Sequence, residues 1–205
     1  MHNDFDPNDL TSERSLWEIY RLATRIRAGK LQLALNFLTV LFLGLHAIVL
    51  TENVALLLSD VRSWAQIGFN FAITTLGFLV AGFTIFTTVA KPDMMLAMMS
   101  VPHKETGLPT LKVNMFAFMR VFIAYLVCAA VYLTVFLFCQ TNGLAAKLVA
   151  LLPHGACIKD GGIRIAYVLV GWSFVYLLLM LKSFVFNIYS IVMNMLRWEY
   201  TVPKK

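Results

Sequence analysis

Charge is what this chain has least of. Only 14% of its residues are Asp, Glu, Lys or Arg against 60% hydrophobic ones, which is too little polar surface for a water-facing globule. Between Ala65 and Ala90 there are 26 consecutive residues without a single charge. At 1.5 Å per residue such a run makes a helix of roughly 39 Å against a hydrocarbon core of about 30 Å, so it crosses a bilayer and must tilt or protrude. A mean hydropathy of +0.75 extends the membrane reading to the whole chain.

Other absences narrow the function. There is no Gly-rich phosphate loop and no His/Cys cluster at metal-ligand spacing, so neither an enzyme nor a cofactor or metal is expected. The acidic residues, Asp60 and Asp160 among them, fall outside the apolar runs. A proton-driven carrier usually places a carboxylate inside the membrane, so that class is disfavoured. Three cysteines make no disulfide framework. Cys139 and Cys157 are the only pair with access to an oxidising compartment, and three free thiols are the simpler expectation. The opening residues lack the short apolar core and cleavage site of a secretory signal, which leaves the first span as the targeting signal.

Uninterrupted apolar length places spans at about Leu31–Thr51, Ala65–Ala90, Met115–Cys139 and Ile165 onward. The expected fold is all-α: a polytopic four-transmembrane-helix bundle over residues 31–197, with a cytoplasmic helix in 1–30 and a basic tail in 198–205. An even number of spans puts both termini on one side. That side carries thirteen of the seventeen Lys and Arg, and the other carries only Arg62, Lys147, Lys159 and Arg164. The positive-inside rule then makes both termini cytoplasmic. The net charge of +6 thus reads as topology, and no direct binding of nucleic acid is expected.

The N-terminal helix is expected from Thr11, capped by Thr11 or Ser12 and ending before Gly29. Its apolar residues recur at three- and four-residue spacing opposite Arg14, Arg21 and Arg25. It is either an interfacial anchor on anionic headgroups or a docking helix for a cytoplasmic partner, with Trp17 and Tyr20 as aromatic anchors. The connection after Lys91 carries Met94, Met95, Met98 and Met99, a soft apolar surface for headgroups or for a partner.

Within the spans, Gln32, Asn36, Thr39 and His46 share one helical face, and span two repeats the arrangement with Gln66, Asn70 and Thr74. Both stripes are packing seams or the lining of a polar path. Gly77 and Ala81 form a small-xxx-small pair, with Gly82 beside it, which allows close helix packing in a homo-oligomer. Span three is followed by a short amphipathic piece at Leu144–Leu152 and by a loop closing through Gly161-Gly162. From Ile165 to Leu196 the only charge is Lys182, and 32 helical residues reach about 48 Å. Either the span ends near Lys182 and Ser183–Arg197 continues outside it, or Lys182 lies deep and faces a pore or a carboxylate. Asn187 belongs to the polar stripe of that last stretch.

Four short-looped spans, the basic N-terminal helix, the stretch Gly77-Phe78-Leu79-Val80-Ala81-Gly82-Phe83-Thr84-Ile85-Phe86 and the long final helix together resemble small four-span membrane subunits of bacterial anti-phage systems, such as that of Kiwa. The resemblance is architectural and implies an inner-membrane oligomer that detects phage attack and works with a cytoplasmic, DNA-binding partner protein. Two functions are therefore expected to compete: a sensor or anchor that recruits a soluble effector, and a homo-oligomeric channel or membrane-perturbing pore.

The topology is directly testable. In a background without native thiols, Lys159→Cys should be labelled from outside intact cells and Lys104→Cys should be protected; the reverse pattern would overturn every loop assignment.

Overall fold

Helix, and no strand, makes up the regular structure of the described residues. The structure, a computed structural model, describes residues 13, 15–24, 29–51, 53–103, 106–140, 143 and 155–201. Six α-helices follow among them: α1 Leu16–Ala23, α2 Lys30–Leu45, α3 Val54–Val89, α4 Pro92–Met99, α5 Thr110–Phe138 and α6 Gly155–Thr201, with a π-helical turn His46–Leu50 after α2. The segments Lys30–Val49, Val54–Thr88, Thr110–Phe138 and Cys157–Tyr200 are long and apolar enough to cross a membrane. At 1.5 Å per residue, α3 is about 54 Å long and α6 about 70 Å. The expectations on Arg14, Arg25, Lys104 and Leu144–Leu152 lie outside the described residues.

Local chemistry explains where the helices start. Ser15 caps α1, its Oγ accepting from the Glu18 backbone N–H at 3.2 Å. The Ser15-Leu16-Trp17-Glu18 spacing is that of a capping box, so the helix begins later than Thr11. Asn53 Oδ1 accepts from the Ala55 N–H at 3.0 Å and starts α3 well before Ala65. Asp60 and Arg62, expected in a loop, therefore lie inside this helix. Gly161 and Gly162, expected to close a loop, are likewise inside α6. Two interior glycines cost about 2 kcal/mol against alanine. Arg164, two residues on, offsets part of this by donating to the Ala47 carbonyl.

The residues divide into two units: residues 28–76 with 125–179, and residues 1–27 with 77–124 and 180–205. In the first unit, Tyr125 and Tyr132 are fully buried. Ser173 Oγ donates to the Val170 carbonyl, which leaves it to accept from the Tyr132 hydroxyl at 2.6 Å. Tyr125 donates to the Leu177 carbonyl at 3.0 Å, and Trp172 Nε1 donates to Asn36 Oδ1 at 2.7 Å. Helix approach is closest at two glycines. A Cβ on Gly68 would lie 2.7 Å from the Tyr132 ring, and one on Gly171 would lie 2.7 Å from Leu43 and 2.9 Å from Trp64.

The second unit is built around Phe83, Phe86, Phe118, Phe122 and Phe184, with Phe118 and Phe184 edge to face at 5.3 Å. Such pairs add about 0.5–1.5 kcal/mol each beyond the area they bury. Between α4 and α5 the chain reverses in a tight turn: His103 N–H donates to the Leu108 carbonyl at 2.8 Å, and Gly107 takes a φ of 70°. A side chain with a Cβ is strained at that φ.

Gly68→Ala should therefore cost about 1–3 kcal/mol of unfolding free energy in detergent, because the Tyr132 ring cannot retreat and keep its bond to Ser173. Gly44 has nothing within 4 Å of an added Cβ, so Gly44→Ala should be neutral or slightly stabilising. Equal losses in the two variants would contradict this packing.

Candidate functional site

The unit containing both chain ends gathers most of the partner-surface candidates. In α1, Trp17 is 65% exposed and stacks on Tyr20 with ring centroids 5.8 Å apart, and Arg21 is exposed. The leading segment of this helix is tied to α5 by an ion pair of Glu13 and Lys112 at 2.8 Å, with side chains only 14% and 12% exposed. In a pair so shielded from water, desolvation offsets much of the attraction, but removing either partner leaves the other's charge uncompensated, which is costly. Charge thus ties down the start of α1, while Trp17 stays exposed and Tyr20 is half-buried beneath the stack.

The methionines differ from expectation. Met94 and Met99 are buried, at 4% and 5% exposure, rather than presented on a surface, and Met95 and Met98 are half-buried. Residues five apart lie about 140° apart around a helix, so Met94 and Met99 are covered on different sides of the two-turn α4 rather than along one face. What is exposed here is the last stretch of α6. Phe184 and Ile191 are buried, whereas Val185, Phe186, Tyr189, Val192, Met193 and Leu196 stand on the outside. Within this unit a groove of about 390 Å³ opens, bordered by Gly82, Ile85 and Phe86 of α3, Met94 of α4 and Val192 of α6. At its rim Lys91 and Glu199 form an exposed ion pair at 2.5 Å.

The packing trio separates. Gly77 and Ala81 are exposed, and nothing lies within 4 Å of a Cβ built on Gly77; Gly82 is half-buried, with the Phe184 ring 4.0 Å from such a Cβ. The Gly77/Ala81 face therefore packs nothing within the described chain.

The polar candidates do not converge either. Asn36 is engaged by Trp172, and its own amide donates to the Gln32 carbonyl at 2.8 Å. His46 is exposed, stacks on Tyr167 at 5.6 Å and has Thr51 Oγ1 3.4 Å from its Nδ1. Asn70 and Thr74 are exposed on α3. On α6, Lys182 is exposed and Asn187 half-buried, within an unbroken helix. All three cysteines are free thiols, so no bridge joins Cys139 to Cys157. Among the described residues no three His, Cys, Asp or Glu come together as metal ligands.

Two residues that the sequence reading used only as topology markers have a structural task. Arg62 Nε donates to the Cys139 carbonyl at 2.6 Å, just past the end of α5, and Arg164 donates to the Ala47 carbonyl in the π-helical turn. Each satisfies a carbonyl that a helix end leaves without an intrahelical donor. The only signal available was their position beside apolar runs. No family model, curated protein or solved structure matches this chain.

The Glu13–Lys112 pair gives a sharp test of how α1 is held. Lys112→Ala should raise the rate of proteolysis near residues 10–25 in the detergent-solubilised protein, and the exchange Glu13→Lys with Lys112→Glu should restore protection. Unchanged cleavage in the single variant would mean that α1 is held by something else.

Proposed function

We propose that the protein is an oligomeric membrane subunit that senses a state of the bilayer or anchors to it, and recruits a soluble cytoplasmic effector. The observation that carries this reading is the exposed apolar stripe from Val185 to Leu196 on a helix of 47 residues. A helix of about 70 Å has more than twice the length that a hydrocarbon core of about 30 Å can cover. With both termini on the basic, cytoplasmic side, the excess lies where a partner can reach it, together with the Trp17–Tyr20 stack and Arg21 of α1. Aromatic and arginine side chains at such a surface are the usual anchors of protein recognition. The unfilled Gly77/Ala81 face supports self-association, since small residues let helices of separate copies approach. The resemblance to anti-phage membrane subunits supplies the further proposal that phage attack is the trigger.

A channel is the second reading, favoured by one observation. Asn70 and Thr74 are polar, lie inside a candidate span and are exposed. In lipid such side chains are unfavourable, and a path lined by several copies would solvate them.

The two readings put the burden on different ends of the protein. Recruitment requires that charge reversal at Arg14, Arg21 and Arg25, or truncation after Ser183, abolish both effector co-purification and cellular function while the helices still insert and assemble. Conductance by reconstituted protein that persists without those segments and changes in Asn70→Leu would instead establish the channel.

A further inference from the structure

We infer that the acyl chains of the bilayer cover only the band of helix between the level of Arg62 and Arg164 and the level of Arg120 and Lys182, and that the stretch of α6 after Lys182 lies beyond the lipid chains, on the basic side of the membrane. This inference rests on the membrane reading and stands whether or not an effector is recruited.

The outer edge of the band is built by side chains that meet. Arg62 of α3 reaches the Cys139 carbonyl just after α5, and Arg164 of α6 reaches the Ala47 carbonyl just after α2. Trp64 and Tyr167, close to those arginines in the chain, have ring centroids 4.7 Å apart, and Tyr167 also stacks on His46. The four helices are thus held at one level. Arginine, tryptophan and tyrosine together are what a membrane–water interface collects.

The inner edge follows from helix length. Lys182 lies 18 residues after Arg164 in α6, Arg120 lies 19 residues before Cys139, and Lys30, which opens α2, lies 17 residues before Ala47. At 1.5 Å per residue these separations are about 26 to 29 Å, the thickness of a hydrocarbon core of about 27–30 Å. Between these marks α2, α5 and α6 hold no Asp, Glu, Lys or Arg, and α3 holds none between Arg62 and Lys91. Phe184 packs against both Phe118 and Phe122, so it sits level with Arg120, and Lys182 is about 3 Å away along the helix axis.

Moving the inner edge to the next charges fails on magnitude. Lys91 is 29 residues from Arg62, Lys112 is 27 from Cys139, and Arg197 is 33 from Arg164, which would require a core of about 40 to 50 Å. It would also bring Arg120 and Lys182 into hydrocarbon, at up to about 3 kcal/mol each. The surface agrees with the thinner band. On α5 no large apolar side chain is exposed from Thr110 to Tyr125, whereas Leu126, Val127, Val131 and Leu137 are exposed. The apolar stripe from Val185 to Leu196 consequently lies outside the acyl chains, where its cover is protein.

The test places single cysteines at exposed positions in the full-length protein without native thiols. Each is labelled with bimane, and the protein is reconstituted in dioleoylphosphatidylcholine vesicles with or without the same lipid brominated in mid-chain. Val131→Cys on α5 and Leu169→Cys and Leu178→Cys on α6 should be quenched at least about threefold more than Tyr189→Cys, Met193→Cys and Leu196→Cys. A label covered by a second copy stays as unquenched as one in water, so oligomerisation does not disturb the expected result at the last three positions. Only variants that insert and elute like the parent are read, and three positions on each side of the edge allow for one that does not fold. Quenching at Tyr189 and Met193 equal to that at Leu178 would overturn the assignment, because hydrocarbon would then reach past Lys182. Weak quenching at Val131, Leu169 and Leu178 together would overturn it as well, because lipid would then not cover the band.

Discussion

In hydrocarbon a polar group has no solvent to fall back on, and that constraint orders the rest of this structure. The backbone answers it with helices, whose hydrogen bonds are internal. Buried side chains must answer it in pairs, and they do: Tyr132 with Ser173, Tyr125 with the Leu177 carbonyl, Trp172 with Asn36. Among the described residues no buried side-chain nitrogen or oxygen lacks a partner. Each such bond between membrane helices is worth about 0.6 kcal/mol on average, so the three together supply only about 2 kcal/mol. Their larger role is to fix register, because a helix that slips by one position strands a donor where nothing can accept it. Close approach is the work of Gly68 and Gly171, where a side chain would collide with Tyr132, Leu43 or Trp64.

The same constraint acts at the helix ends, where carbonyls lose their intrahelical donors. Arg62 and Arg164 reach across to the Cys139 and Ala47 carbonyls. A guanidinium has several donors in a rigid fork and keeps its charge, so it suits this position better than lysine. The π-helical turn His46–Leu50 widens the end of α2 where Arg164 docks, a local departure of the kind that frees a carbonyl for an outside partner.

Four apolar runs and the all-helical class were legible because both follow from composition and period, properties that each segment carries by itself. The boundaries were less legible for a specific reason. Uninterrupted apolar length ends a span at its first charge, but a helix continues through Asp60 and Arg62 when Asn53 caps it earlier and tertiary contacts hold it. Gly161-Gly162 read as a loop for the same reason: propensity is local, and the bond from Arg164 to Ala47 is not. Among the candidate residues, the three-residue spacing of Trp17 and Tyr20 brings their rings together in a stack, whereas Met94 and Met99, expected on a surface, are buried. Which face of a short helix turns inward depends on its neighbours in space. The Glu13–Lys112 pair and the groove at Gly82 were invisible for that reason too, since each joins segments far apart in the chain.

The helices thus carry two kinds of surface. Inward faces are locked by a few polar bonds and glycine contacts; outward faces, above all on α1 and the end of α6, are left apolar. The inward polar bonds hold specific helices together, which a double-mutant cycle on Tyr132→Phe and Ser173→Ala measures most directly. Unfolding free energies of the four proteins in detergent micelles or bicelles should give a coupling of about 0.6–1.7 kcal/mol. A coupling of zero, with each single change costing only its own packing, would contradict the claim.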